Sequence, residues 1–476
     1  MRILVIIVFL LSFFCNIARA QQKWTLLQCI DYAMTNNISV RQTGLQTKLS
    51  ELSYQQSKLG QYPSLSFSGG PAYNSGRNQD PTSFSLITQS YVSASMQLQS
   101  SAEIFNWYSK RNTIAANLWE LEAAKASTDK LKNDIALSVA NSYLQILLTK
   151  EQDKIAAVQL QQSQAQLKNT RKLVDAGSLP ELNASELEAQ VARDSSSMIS
   201  AKGNVDQAIL GLKAFMSFDA ATPFEIDEPP AEKIPVEKIS DLQPETVYAT
   251  AIASLPQQRF DEFKLKAAQK SLAATKAGMY PTFSLFGSLA SGYNSRTKDI
   301  TGSTPVNTPI GNVTIGSTTY SVFSIQPLSV YEYSKTSFSK QIDQNFRQSV
   351  GLTMSVPIFN GSSLHTTYEK SKINIQNLQL QKELDNQKLK QDIYQAYTSA
   401  LVALEKFNAG KKSLQTAERS FSFAQKRYDV GMLTTLELIT NQNNLFRAKL
   451  DNVLNQFDYV FKMKVLEFYK GQGLKL

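Results

Sequence analysis

Ile104-Phe-Asn106 opens a stretch that closes at Lys172-Leu-Val-Asp-Ala-Gly177, and the stretch returns as Ile358-Phe-Asn360 through Lys426-Arg-Tyr-Asp-Val-Gly431. Phe105 and Phe359 stand 254 positions apart, as do Gly177 and Gly431, so the 71 positions between them match without a gap. The first copy has no Gly or Pro between Asn106 and Ala176; the second has one Gly, Gly410, and no Pro between Gly361 and Gly431. Without those breakers a run of this length reads as helix. At 1.5 Å per residue, about 70 residues make a rod of roughly 100 Å. An apolar stripe at helical spacing runs along each rod: Ile135, Val139, Tyr143 and Ile146 in the first, Leu389, Ile393, Tyr397, Ala400 and Leu404 in the second. So narrow a stripe on a polar helix predicts helix-on-helix packing along its length. Past each glycine a return helix is expected, over 181–218 and 435–470.

Upstream of each rod the hydrophobic period changes from helical to two. Leu65, Phe67, Gly69, Pro71 and Tyr73 alternate with Ser64, Ser66, Ser68 and Gly70, and Val92, Ala94, Met96 and Leu98 alternate with Ser93, Ser95, Gln97 and Gln99. The unit recurs: Tyr62-Pro63 is echoed by Tyr280-Pro281 at an offset of 218. Phe283, Leu285, Gly287 and Leu289 alternate with polar or small residues (Phe286 excepted), and Val350, Leu352, Met354 and Val356 return. Strands are expected over about 63–73, 90–100, 281–293 and 347–357. One apolar and one polar face suits a membrane barrel with lipid outside and water inside, although a single such hairpin taken alone reads rather as a half-buried soluble sheet. Tyr62, Tyr73, Tyr280 and Tyr293 bracket two of the strands, as residues at membrane interfaces do. The offset rises from 218 to 254 between the second Tyr-Pro and the second Ile-Phe-Asn. The second hairpin is therefore 36 residues longer, with the surplus in a Ser/Thr/Gly/Asn-rich loop over 295–347 whose patches, such as Thr318–Ile325, suggest extra strand.

The N-terminal residues read as an export signal. Arg2, the apolar run Ile3–Phe14 and Ala18-Arg19-Ala20 have the order of a secretory signal peptide cut after Ala20. The run is too short to span a bilayer comfortably, and Cys15 follows Phe14 where a lipidation site requires a small residue. The chain carries 49 basic and 40 acidic residues; without Arg2 and Arg19 the excess is +7. The basic residues are scattered among acids on helices, which describes a solvated face and not a nucleic-acid surface. Cys29 alone remains after the signal, in a buried helical setting, so no intrachain disulfide is possible. No later run of 18 apolar residues exists, so any membrane span must be built from strands.

The expected plan is thus a signal peptide (1–20), a first repeat (21–218, its long helix over about 104–176), a proline-rich acidic linker (219–245), a second repeat (246–470, long helix over about 361–430) and a short tail (471–476). One chain offers four membrane-type strands. Closed single-chain barrels begin at about eight, and an open edge in lipid leaves backbone groups unpaired at several kcal/mol each. Several copies must therefore close the barrel: two give eight strands and three give twelve. Physically this is a barrel in an outer membrane continued by a helical tube in the periplasm.

Thr25-Leu…Ala33…Asn36-Asn37, the Tyr-Pro before each first strand, Pro357-Ile-Phe-Asn-Gly361 and Tyr428-Asp-Val-Gly-Met-Leu-Thr-Thr-Leu-Glu-Leu438 resemble the TolC-like outer-membrane efflux proteins. The likeness covers essentially the whole chain after the signal. It implies a mixed α/β membrane protein: a homotrimer with a twelve-stranded transmembrane β-barrel and a long periplasmic α-helical barrel, in the outer membrane of a Gram-negative bacterium. It also implies a passive exit duct of a tripartite efflux or type I secretion system. The partners would be a periplasmic adaptor, an inner-membrane pump and outer-membrane lipid. The family closes its tunnel with acids six and nine positions past the tip glycine. Here those positions hold Glu437 and Thr440, and Asn183 and Glu186 in the first repeat, so a ring of Glu437 is possible and a double aspartate ring is not. Glu437 reads equally as a helix-start acid favoured by the dipole. Gly177-Ser-Leu179 and Gly431-Met-Leu433 resemble the tips that adaptors grip, and also read as plain turns. Glu103 stands where the second repeat has Pro357.

No catalytic or metal constellation is present. His365 is the only histidine, on a polar helix start, and there is no GxxxxGK[ST] loop to hold phosphates. Neither cofactor nor enzymatic activity is expected, and any energy source must lie in a partner. The competing readings are a periplasmic adaptor, which would offer one helical hairpin and no duplicated strands, and a coiled-coil structural protein, which would offer no strands. Drug, metal, peptide and protein cargoes all stay open.

Overall fold

The computed structural model describes residues 23–80, 84–229 and 234–471; the expected signal peptide and the residues after Gly471 lie outside them. In chain order the elements are α1 (Leu26–Asn36), α2 (Ile38–Leu59), β1 (Ser64–Gln79), β2 (Leu86–Phe105), α3 (Ser109–Asp175), α4 (Glu181–Met216), α5 (Pro244–Ser254), α6 (Pro256–Ala277), β3 (Thr282–Asn294), β4 (Lys298–Val306), β5 (Pro309–Ile315), β6 (Thr318–Phe323), β7 (Leu328–Lys335), α7 (Phe338–Gln344), β8 (Arg347–Ser355), α8 (Ser363–Asp429) and α9 (Thr435–Tyr469). The two rods, α3 and α8, have 67 residues each. Among the described residues no helix is long and apolar enough to cross a membrane.

The chain divides into two compact units, and these are not the two sequence repeats. One comprises residues up to Tyr54, Ala116–Gln269 and Lys372–Leu476; the other comprises Gln55–Ala115 and Lys270–Ser371. Each draws on both repeats, because like elements of the duplicated halves pack side by side.

In the helical unit the rod stripes form the core. Val139, Tyr143 and Ile146 are buried with Cys29, Ile30 and Ala33 of α1, Leu212 and Met216 of α4, and Phe457 and Val460 of α9. Leu389, Ile393 and Ala400 of α8 are buried with Val247 and Ala251 of α5 and Met463 and Leu466 of α9. Burial pushes the Cys29 thiol up to about 12, so it is an inert packing residue. The proline-rich stretch expected as a linker is part of this core. Phe224, Ile226, Ile234 and Leu242 are buried, and Trp24 forms a parallel bridge with Ile226. The Tyr143 hydroxyl donates to the carbonyls of Trp24 (3.1 Å) and Asp227 (2.6 Å). Lys464, buried on α9, donates to the Pro235 carbonyl (2.6 Å) and to Glu467 (2.8 Å), whose other oxygen accepts from the Glu237 amide. Prolines forbid regular structure here, but the apolar residues between them still gain by leaving water, and they dock one at a time.

In the strand unit β1, β2, β3 and β8 form one antiparallel sheet in that order. Its register aligns the apolar positions: Phe67 faces Leu98, Leu98 faces Leu289, and Leu285 faces Leu352. That face is bare, with Val350 at 81% and Leu352 at 73% exposure. Phe286, the apolar residue on the polar face, lies over its cross-strand partner Gly351, where any Cβ would meet the ring. β1 and β2 run well beyond the ten residues expected for each, pairing as far as Gln79 with Leu86. Backbone pairing needs no apolar alternation, so their polar ends continue the ribbon. Ile104 and Phe105 belong to β2 and not to the rod. The rod starts at Ser109 because Trp107 and Tyr108 adopt positive φ, which no helix tolerates. The long loop holds two further ribbons, β4 with β7 and β5 with β6, the second including the Thr318 patch. α7 returns the chain to β8: buried Gln341 donates to the carbonyls of Asn294 and Thr336 and accepts from the Asn294 amide.

Candidate functional site

Two features of the chain are the candidates for function: the helix tips and the bare sheet. Each rod ends in the same turn. The Ser178 amide donates to the Leu173 carbonyl (2.8 Å) and the Gly177 amide to Val174 (2.9 Å); Met432 donates to Arg427 (2.8 Å) and Gly431 to Tyr428 (2.9 Å). This pair of bonds is the Schellman motif, which needs a left-handed residue, and Gly177 and Gly431 have φ of +72° and +75°.

The return helices start differently. Thr434 and Glu437 form a reciprocal capping box on α9, the Thr434 amide and hydroxyl donating to Glu437 Oε2 (3.0 and 2.9 Å) and the Glu437 amide to Thr434 Oγ1 (3.3 Å). Those donors, the Thr434 amide first, hold the Glu437 carboxyl below its usual range. α4 starts at Pro180 with no side-chain cap. There Arg171 reaches across the turn to Glu181 (2.5 Å) and Glu188 (2.7 Å).

The four residues expected near a gate are not joined. Glu437 and Thr440 are exposed, and the Thr440 hydroxyl donates to the Leu436 carbonyl (2.8 Å). Asn183 and Glu186 are half-buried on α4. No hydrogen bond or ion pair links any two of the four among the described residues. Leu179 and Leu433 are half-buried in their turns.

The structure instead shows a buried polar ladder just inside the tips, which the sequence reading passed over. Thr170 meets Tyr428 (3.0 Å), which also meets Thr435 (3.4 Å), and Gln166 donates to Gln425 (3.3 Å). Deeper in, Ser163 donates to Asp194 (2.5 Å), Gln442 to Ser163 (3.0 Å), and Gln190 to both Asp194 (2.8 Å) and Asn443 (3.1 Å). Ser163, Gln190, Asp194 and Gln442 are all buried. The hairpins α3–α4 and α8–α9 are thus joined here by buried hydrogen bonds alongside apolar packing of Leu187, Leu438 and Ile439. A readable signal was present: the buried stripe of α4 runs Ala184, Leu187, Gln190, Asp194, turning polar at constant helical spacing.

With the duplicated hairpins, the bare antiparallel sheet and the paired tips established, comparison with known proteins is decisive. A family profile described as "Outer membrane efflux protein" matches residues 29–216 and 247–461. The chain belongs to the outer membrane efflux protein family. Its place is the outer membrane and its class is transport, not catalysis. The toluene efflux pump outer membrane protein TtgC of Pseudomonas putida is 22% identical over 459 residues, 91% of this chain and 81% of TtgC. The pyoverdine export outer membrane protein OpmQ of Pseudomonas aeruginosa is 21% identical over 367 residues, 75% of this chain; the match spans 65% of OpmQ's own length. Among solved structures, CusC superposes with a TM-score of 0.75 at 16% identity, covering 94% of this chain and 92% of CusC. The open-state MtrE outer membrane channel of Neisseria gonorrhoeae gives 0.71 at 17%, covering 94% and 89%. These likenesses extend the shared fold across nearly the whole of this outer membrane efflux protein.

Proposed function

We propose that three copies of this outer membrane efflux protein close a twelve-stranded barrel and a periplasmic helical tunnel, forming the passive exit duct of a tripartite pump. The observation that carries this reading is the four-stranded sheet. Its apolar face is exposed, and no strand pairs with the outer edges of β1 and β8 among the described residues. In a membrane both edges must be satisfied. A neighbour's β8 on β1, and the reverse on the other side, does this around a closed ring, since head-to-tail contacts that close make cyclic oligomers. Three copies, the number implied by the family resemblance, make twelve strands.

The tips are the proposed working end. The rigid turns Gly177-Ser-Leu179 and Gly431-Met-Leu433 present backbone and half-buried leucine to a periplasmic adaptor, which delivers cargo from an inner-membrane pump. Glu437, with Thr440, Asn183 and Glu186 on the paired hairpins, is the proposed electrostatic lining of the closed end. The names of TtgC and OpmQ, toluene efflux and pyoverdine export, favour small organic cargo over protein. The test is to fractionate cells and run the outer-membrane pool with and without heating. The expected outcome is a heat-resistant trimer that collapses to monomer on boiling; a soluble periplasmic monomer overturns the reading.

A further inference from the structure

In the helical unit a cavity of about 310 Å³ lies where α3, α8 and the end of α9 meet the junction of α5 and α6. Its character follows from the spacing of α8. Asp385 and Asp392 both line the cavity, two helical turns apart on one face, with buried Leu389 between them. α3 adds Asp134, α9 adds Tyr469, and the α5–α6 junction adds Leu255, Pro256 and Gln258. The lining is therefore acidic at two levels of α8 and apolar between them. At the first level Asp385 lies beside Asp261 of α6. The Gln257 side-chain amide donates to both carboxylates (2.9 Å to Asp261, 3.4 Å to Asp385), and Asp385 also accepts from Gln381 (3.3 Å). At the second level burial, and then the charges of Asp392 and Asp134, push the Tyr469 hydroxyl above its usual range, so both acids lie near that ring. Lys130 and Lys388 also line the cavity, but both are exposed, and neither forms an ion pair with a lining acid among the described residues.

Two buried acceptors at the first level have no partner. Gln258 is 6% exposed and Asp261 7%, yet neither Gln258 Oε1 nor Asp261 Oδ2 receives a hydrogen bond among the described residues. The two stand three apart on α6 and so share a face. Leaving buried acceptors unpaired is costly. Both atoms can only accept at neutral pH, so what suits them is a donor, and the surrounding carboxylates favour a cationic one. A metal ion is the poorer match, because among the described residues no three His, Cys, Asp or Glu side chains converge as a metal site needs. Carboxylates at two levels, with leucine between, match a molecule that is cationic at both ends and apolar in the middle. Two turns rise about 10 Å, and a charge-assisted contact of about 2.8 Å at each end leaves roughly 5 Å between the cationic nitrogens, the span of about three or four methylenes.

We propose that this cavity binds a linear aliphatic diammonium ion, one ammonium at Asp385, Asp261 and Gln258 and the other at Asp392 and Asp134, with its methylenes against Leu389 and Pro256. The ligand ties α3, α6, α8 and α9 together and stabilises the helical unit by mass action. Closure of the sheet plays no part, so the site stands or falls separately from the trimeric duct. The experiment titrates 1,4-diaminobutane into the purified full-length protein in detergent, at neutral pH and low salt, by calorimetry. 1-Aminobutane, 1,8-diaminooctane and magnesium chloride are the comparisons. Expected is one saturable event per chain for 1,4-diaminobutane. Affinity should fall by about tenfold or more for 1-aminobutane, and likewise for 1,4-diaminobutane in Asp385→Asn and in Asp392→Asn, since each change removes a charge-assisted contact. 1,8-Diaminooctane, too long for the two levels, should also bind more weakly. Thermal unfolding checks that each isosteric variant folds. Asp392 makes no side-chain hydrogen bond among the described residues, so Asp392→Asn carries the test if Asp385→Asn does not fold. Absence of saturable binding, equal affinity for 1-aminobutane, or binding unchanged in the variants overturns the proposal. Saturable magnesium binding that displaces the diamine also overturns it, in favour of a metal site.

Discussion

Glu437 shows how one side chain can serve two demands. Its carboxylate completes the capping box of α9, and its charge sits exposed at the proposed closed end. Substitution separates the two roles, because glutamine also completes a capping box. Glu437→Gln should keep the thermal midpoint while changing single-channel cation selectivity; unchanged selectivity removes the gate role. Glu437→Ala should lose selectivity and some stability together. The depressed carboxyl means the cap contributes stability above the unfolded-state range and loses it as pH falls through the folded value. Asp261 has the opposite sign. It is buried on α6, and burial followed by the nearby charge of Asp385 raises it to about 6; Gln257 donates to both (2.9 and 3.4 Å). The folded state then holds a proton that the unfolded chain releases, so this group's contribution to stability falls as pH rises from about 4 to about 6. Asp261→Asn should flatten that slope and stabilise the protein at pH 7 by on the order of 2 kcal/mol. Denaturant titrations at several pH values check this, and a slope unchanged in the variant rejects the assignment.

Among the elements, the proline-rich stretch between the repeats is the most consequential departure from expectation. It is fastened to α9 by the buried pair Lys464–Glu467, which also binds the Pro235 carbonyl and the Glu237 amide. Removing one partner of a buried pair leaves the other charge uncompensated, at about 3–5 kcal/mol. Glu467→Ala should therefore lower stability by that order. The double variant Glu467→Leu with Lys464→Met should recover much of the loss, since apolar replacement of a buried pair is often near neutral. Chemical denaturation of the two variants measures this. Equal losses in both would mean the segment is held elsewhere.

At the scale of the molecule, the proposed wall segment cannot be stable in lipid alone. β1 is an edge strand on which the proposed closure depends, and at Gly69 it lies close against its neighbour: a Cβ there would stand 2.4 Å from the Ser95 carbonyl oxygen of β2. Gly69→Ala should abolish the heat-resistant oligomer while the helical circular dichroism signal persists, because the rods have their own core. A normal oligomer from this variant would show that β1 adapts and that closure tolerates a shifted edge.

The duplication, the rods, their buried stripes and the alternation of the strands were legible in the sequence because each rests on local periodicity. A helix or a half-exposed strand must repeat its apolar residues at a fixed interval wherever it packs. The tips were legible because only glycine fits the left-handed position of a Schellman turn at no steric cost. Tertiary structure alone decided the rest. Buried proline-rich residues have no period to betray them, since each docks singly. The bulge between Glu103 and Phe105, which sets Phe105 opposite Phe283, shifts the phase of one strand against another, which a single strand cannot reveal. The first-hairpin partners of Tyr428 and Gln442 lie 258 and 279 residues away, and Asp194 meets Ser163 only because α4 folds back along α3. The sequence by itself determined which elements exist and which face of each is apolar; only the packing of helix against helix decided which polar residues are hidden, and so where the hairpins are joined by buried hydrogen bonds.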